Sequence, residues 1–142
     1  QLIWQTGKNF GDKGVNAAKG MKGIVVTQFI SDMAQAYAAA SIVVSRAGAG
    51  SISELELLGK PSILVPSPNV AEDHQTKNAL ALAERNAALM IADGEATQRL
   101  VDTIIQTIHK EELLEEMSRN IKEMALADSD EKIVDEILKI IG

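Results

Sequence analysis

Hydrophobic positions in this chain gather into short unbroken runs, separated by stretches in which apolar residues recur at helical spacing. The runs lie in LIWQTG, IVVTQFI, SIVVS, SILVP and ALMIAD, beginning at Leu2, Ile24, Ser41, Ser62 and Ala88. Runs rich in Val, Ile and Leu that do not alternate with polar residues predict strands buried on both faces, the pattern of a parallel sheet. Between them, Asp32 followed three positions later by Gln35 predicts a helix N-terminus leading into MAQAYAAA. A second helix runs toward Gly59, where glycine ends it and Pro61 bars continuation. A third is expected around Asp73 to Arg85. Beyond Asp93 the pattern is helical throughout. Leu100, Val101, Ile104, Ile105 and Ile108 share one face; Leu113, Leu114, Met117, Ile121 and Met124 a second; Ile133, Val134, Ile137, Leu138 and Ile141 a third. Lys8 to Gly23, with four glycines and four lysines, predicts a mobile loop. Alternating strands and helices give a doubly wound α/β fold, a Rossmann-like parallel sheet.

Composition narrows the function. The 142 residues suit one domain with a sizeable core. A net charge of −6 makes nucleic acid and anionic lipid poor partners, because phosphate surfaces repel an acidic chain. The absence of cysteine excludes a disulfide scaffold and a thiolate zinc site, and fits a reducing compartment. No apolar run approaches the ~20 residues of a membrane span. The opening QLIWQTGK lacks the basic region of a signal peptide and reads as the interior of a strand, as if the chain began partway into a fold. No Asp-x-Asp cation-holding motif stands in a suitable place. The letters occur in ADSDE near the C-terminus, which reads as a solvated helix boundary.

The chemistry concentrates in Ser41 to Pro68, SIVVSRAGAGSISELELLGKPSILVPSP. In an open parallel sheet, ligands bind beyond the carboxyl ends of the strands, where Ser45 to Ser51 falls. Gly48 and Gly50 are able to adopt backbone angles closed to other residues, and have no side chain to hold a ligand off. A helix starting near Ser51 presents unpaired N–H groups and a partial positive charge, which suit phosphate. Glu54 has two acceptor oxygens for the vicinal hydroxyls of a ribose. A second reading needs no ligand: Ser51-Ile52-Ser53-Glu54 has the form of a capping box, the Ser51 hydroxyl capping the helix and Glu54 reaching back. The residues by themselves leave both open.

Three segments in fixed order carry a resemblance. Phe29-Ile30 with DMAQAY, the turn SRAGAGSISE, and EDHQTKNA closely resemble the donor-binding half of the MurG family of peptidoglycan glycosyltransferases, of GT-B fold and glycosyltransferase family 28. The resemblance runs from about Trp4 to the end of the chain. It implies that the backbone of Ile30, with Phe29 beside it, holds the uracil edge of UDP-N-acetylglucosamine (UDP-GlcNAc) and that Met33 lines that pocket. It implies that Ala49, Gly50, Ser51, Ile52 and Ser53 cradle the diphosphate, that Glu54 binds the ribose, and that Gln75, with His74 adjacent, binds the sugar hydroxyls. Arg46 falls near the site. Taken singly, Phe29 and Ile30 read equally as core residues at a strand end, Met33 as helix packing, and His74 and Gln75 as a polar first turn behind an Asp73 cap.

By the same resemblance, the activity is inverting transfer of N-acetylglucosamine to the 4-hydroxyl of lipid I, giving lipid II. It implies no required cofactor and no metal site, although a divalent cation could stimulate. The place implied is the cytoplasm, with the full-length enzyme peripheral on the cytoplasmic face of the bacterial plasma membrane. The acceptor domain that precedes the donor domain in the family is not in this chain, nor are the donor domain's first strand and helix. The expectation is therefore a donor-binding fragment, inactive alone and holding no catalytic residue. It would make no membrane contact of its own and would associate into homo-oligomers through unpaired strands at Leu2–Gln5 and Ser41–Ser45. Its C-terminal helix, within residues 128–142, would pack on the absent domain. Other readings are a GT-B diacylglycerol glycosyltransferase, a UDP-GlcNAc 2-epimerase-like isomerase, short of the histidines its chemistry needs, and a non-catalytic binding module.

Overall fold

The computed structural model describes residues 1–68, 73–125 and 139. Backbone contacts divide the chain into two compact units, Gln1–Ala40 and Ser41–Gly142.

In the first unit, strand β1 (Leu2–Gln5) pairs in parallel with β2 (Ile24–Thr27), Leu2 opposite Ile24 and Gln5 opposite Thr27. A 3-10 turn over Lys8–Phe10 leads into helix α1 (Gly11–Ala17), and helix α2 (Met33–Ala39) follows β2. Lys8 to Gly23 is therefore not the loop that its glycines predict. Gly11 and Gly14 are the buried residues of α1, and they are glycine because neighbours stand where a side chain would be. A Cβ at Gly14 would lie 2.5 Å from Thr6 Cγ2 and 3.3 Å from Val26 Cγ1; at Gly11 it would lie 2.8 Å from the Gln28 side chain. The small residues let α1 lie close on the sheet. Trp4 and Phe10 close the same corner, ring centres 6.0 Å apart. The Asp32 cap forms as expected, its carboxylate accepting the Gln35 N–H at 3.0 Å.

In the second unit, β3 (Val43–Ser45), β4 (Ser62–Leu64) and β5 (Leu89–Met90) form a parallel sheet in that order. Helices α3 (Ala49–Leu58), α4 (His74–Ala83), α5 (Asp93–Ile108) and α6 (Glu111–Glu123) accompany it. Strand β4 is buried along its whole length, which explains why its sequence does not alternate. Ile63 and Val65 join Ile91 in a core cluster against Leu100 and Ile104 of α5. Leu64, on the opposite face by strand alternation, is equally inaccessible. Val101 and Ile105, grouped by sequence on one face with Leu100, Ile104 and Ile108, are largely exposed, while Leu100 and Ile104 pack on the core. Helix α6 buries Met117 and Ile121. Gly59 ends α3 in the left-handed conformation, φ 61°, as the sequence indicates. The C-terminal helix expected within residues 128–142 lies, apart from residue 139, outside the described residues.

Candidate functional site

The glycine turn follows the carboxyl end of β3 and opens α3. The helix starts at Ala49, with Gly48 as N-cap, three residues earlier than a Ser51 cap requires. Ser51 is therefore the third helical residue, and the capping box read from Ser51 and Glu54 does not form. Gly48, at φ −70° and ψ 146°, supplies the extended N-cap geometry with no side chain, and Ala49 next to it favours the helix, so initiation moves forward. The first hydrogen bond into the helix is from Ile52 N–H to Gly48 O, at 3.0 Å. The N–H groups of Ala49, Gly50 and Ser51 precede it, and among the described residues no side chain caps them. No acidic residue occupies the first turn either, whereas α5 carries Asp93 and Glu95 there and α6 carries Glu111 and Glu112. The positive end of the α3 dipole is left without an acid of its own in its first turn.

The two glycines here differ from those of α1. Gly48 has an ordinary negative φ, and Gly50 lies inside the helix without a positive φ. They do not use the conformational freedom that the sequence suggested. A Cβ at either would meet nothing within 4 Å. Among the described residues, the backbone at both glycines is bare and faces open space, approachable by a ligand.

Polar side chains brace the surrounding strand ends. Arg46 Nη1 donates to Val65 O at 3.2 Å and to Pro66 O at 3.4 Å, and pairs with Asp93 at the start of α5. Its guanidinium thus ties the exits of β3 and β4 to α5. Gln75, in the first turn of α4, accepts the Ser67 N–H through Oε1 at 2.9 Å. That engages its acceptor and leaves its amide N–H groups as donors for a hydroxyl. Asn78 Nδ2, one helical turn on, donates to Ala47 O at 3.2 Å. Sequence reasoning missed Asn78, although it stands within the EDHQTKNA segment. Ile52 is buried and packs the helix from within, and its N–H is already donated to Gly48 O. Ser53, Glu54 and His74 are exposed, and the last two each have an interaction partner. Asp73, read as a capping residue for α4, occupies the N-cap position with a left-handed φ of 56° and makes no side-chain cap.

The first unit carries the remaining predicted residues. Phe29, just past β2, is 74% exposed, so its reading as a core residue fails; Ile30 and Met33 are half-buried. The Ile30 N–H donates to Gln5 Oε1 at 2.8 Å, and the Phe29 carbonyl accepts the Thr27 hydroxyl at 2.8 Å. Ile30 thus offers its carbonyl, more than its amide, to a heterocycle edge.

Residues 1–133 match the family model of the glycosyltransferase family 28 C-terminal domain. The chain belongs to that family. It is 54% identical, over 99% of its length, to the UDP-N-acetylglucosamine–N-acetylmuramyl-(pentapeptide) pyrophosphoryl-undecaprenol N-acetylglucosamine transferase of Parabacteroides distasonis, and 52% identical, over the same share, to the corresponding Bacteroides thetaiotaomicron protein. The match covers 39% and 38% of those proteins, so this family 28 chain spans about two fifths of the curated relatives it matches. The crystal structure of Acinetobacter baumannii MurG superposes with a TM-score of 0.84 at 31% identity, covering 96% of this chain and 42% of that one. The Rossmann-like α/β fold expected of a GT-B C-terminal domain is thereby established. Among the described residues, no helix is long and apolar enough to cross a membrane.

Proposed function

We propose that this chain is the UDP-GlcNAc-binding part of an enzyme that transfers N-acetylglucosamine to the MurNAc 4-hydroxyl of lipid I, forming lipid II. The observation that carries this reading is the open mouth of α3, in a chain of this family: three successive N–H groups, no side-chain cap, no first-turn acid, and two glycines that packing does not demand. Diphosphate there gains the helix dipole, about 0.3–2 kcal/mol, and charge-assisted hydrogen bonds of about 1.5–3 kcal/mol each. Ala49, Gly50 and Ser51 contribute backbone N–H donors, Ser51 and Ser53 contribute hydroxyls, Ile52 packs the turn from within, Glu54 takes the ribose hydroxyls, and Gln75 donates to the sugar. His74 lies beside it. Arg46 supports the strand ends around the turn. The exposed ring of Phe29, the Ile30 carbonyl and Met33 serve the uracil.

The chemistry follows from where charge develops. As the acceptor hydroxyl attacks the anomeric carbon with inversion, UDP departs and its phosphates gather negative charge. Fixed N–H donors stabilise that charge more in the transition state than in the ground state. Lipid I and the base that deprotonates its hydroxyl belong to the acceptor domain of a longer protein, itself peripheral on the cytoplasmic membrane face. The chain alone binds donor and transfers nothing. β1 and β3 are edge strands of their sheets, which supports self-association by strand pairing; light scattering giving a monomer contradicts that part.

Calorimetry with UDP-GlcNAc, UDP-glucose, ADP and GDP tests the reading. UDP-GlcNAc binds tightest and the purine nucleotides weakly or not at all. Equal affinity for UDP and UDP-GlcNAc rejects the N-acetylglucosamine assignment, and absence of UDP binding rejects the site.

A further inference from the structure

Glycine at the N-cap of α3 creates a difficulty that another residue answers. Gly48 has no side chain, and among the described residues no atom lies within 4 Å of where its Cβ would be, so packing among them does not hold its peptide in place. Glycine is the residue with most backbone freedom to lose. A donor that stabilises charge must nevertheless be fixed beforehand, or ordering it consumes the gain. The peptide joining Ala47 to Gly48 is held from the other side. Ala47 is fully buried, and its carbonyl accepts Nδ2 of Asn78 at 3.2 Å. A trans peptide is planar, with C=O and N–H pointing in opposite directions, and no cis bond is present among the described residues. Anchoring the Ala47 carbonyl toward α4 therefore directs the Gly48 N–H away from α4. Among the described residues that N–H donates to no protein acceptor. Gln75, three positions earlier on the same face of α4, holds the Ser67 N–H, so the helix that grips the turn is itself fastened to the exit of β4.

We infer that Asn78 is a positioning residue for the diphosphate: by holding the Ala47 carbonyl it sets the direction in which the Gly48 amide meets a phosphoryl oxygen. The inference rests on the nucleotide reading of the α3 mouth given above. It requires a side chain with an N–H donor at this reach. Leucine matches the size without the donor, and serine shortens the reach.

The test compares three probes, uridine, UDP and UDP-GlcNAc, by calorimetry on the wild-type chain and on Asn78→Leu, with Tm measured alongside. The wild type binds UDP. In Asn78→Leu, affinity for UDP and for UDP-GlcNAc falls by the same factor, about three- to thirtyfold for loss of one hydrogen bond's worth of preorganisation. Affinity for uridine, which has no phosphate, does not change. A lowered Tm with unchanged UDP affinity overturns the inference and makes the bond purely structural. A loss confined to UDP-GlcNAc, with UDP unaffected, overturns it in favour of direct sugar contact. Wild-type protein that fails to bind UDP overturns the parent reading as well, so the two failures are told apart. If Asn78→Leu does not fold, Asn78→Ser read on the same three probes decides between the same outcomes.

Discussion

Helices α1 and α3 both begin among glycines, and these glycines do opposite things. In α1 they are buried and tightly approached: a Cβ at Gly14 would sit 2.5 Å from Thr6 Cγ2. In the turn before α3 they face open space, with nothing within 4 Å of a Cβ at Gly48 or Gly50 and no positive φ at either. The first set is explained completely by packing inside its own unit. In the second, Gly48 serves as N-cap, but Gly50 is required neither by packing nor by a positive φ, and glycine inside a helix costs about 0.5–1 kcal/mol relative to alanine. A residue that costs stability without serving the fold points to something outside the fold, here a ligand that needs close approach to the backbone. In a single sequence both sets look alike, as small residues beside a helix.

The comparison breaks most readily at Gly14. Gly14→Ala drives a methyl group into Thr6 and Val26, and should destabilise the first unit by about 1–2 kcal/mol net of the helix-propensity gain. Urea unfolding, or hydrogen exchange of the β1–β2 amides, measures it; an unchanged midpoint means α1 does not lie where described. Gly50→Ala sharpens the contrast from the other side. Stability should rise by about 0.5–1 kcal/mol while UDP binds roughly tenfold more weakly, because the new methyl stands in ligand space. A stabilised variant with undiminished affinity would place the ligand elsewhere.

The smallest effect concerns the body of α3. Burial raises the carboxyl pKa of Glu56 above its ordinary value. The folded chain then holds this proton more tightly than the unfolded chain does. Its contribution favours folding at low pH and is lost as pH rises through the raised value. Glu56→Gln should remove that part of the slope, so the variant gains on wild type as pH increases from acidic to neutral. Parallel pH–stability curves for the two proteins would contradict it. UDP affinity stays unchanged, since Glu56 lies two turns into the helix and away from its mouth.

Much of the fold was legible because it depends on local pattern. Unbroken Val/Ile/Leu runs marked each strand, Gly59 marked the end of α3, and Asp32 with Gln35 marked the start of α2. Helix α1 was not legible, because Gly11 and Gly14 report contacts with Thr6, Val26 and Gln28 that only the folded chain brings near. The start of α3 was misplaced because Ser51 and Glu54 spell a capping box, whereas Gly48 caps with its backbone alone. The polar residues around the turn were legible as chemistry but not as geometry. Arg46 finds Asp93 across 47 positions, and Asn78 finds Ala47 across 31. Both partners are set by where β3, β4, α4 and α5 come together, which no local spacing encodes.

The amides opening α3, as proposed, bind the diphosphate of a uridine nucleotide. Backbone NMR of the 15N-labelled chain titrated with UDP addresses it residue by residue. The amides of Gly48, Ala49, Gly50 and Ser51 should shift together and most strongly, saturating with the affinity found by calorimetry. Saturable UDP binding that leaves these four amides unmoved, with the large shifts at another surface, contradicts it.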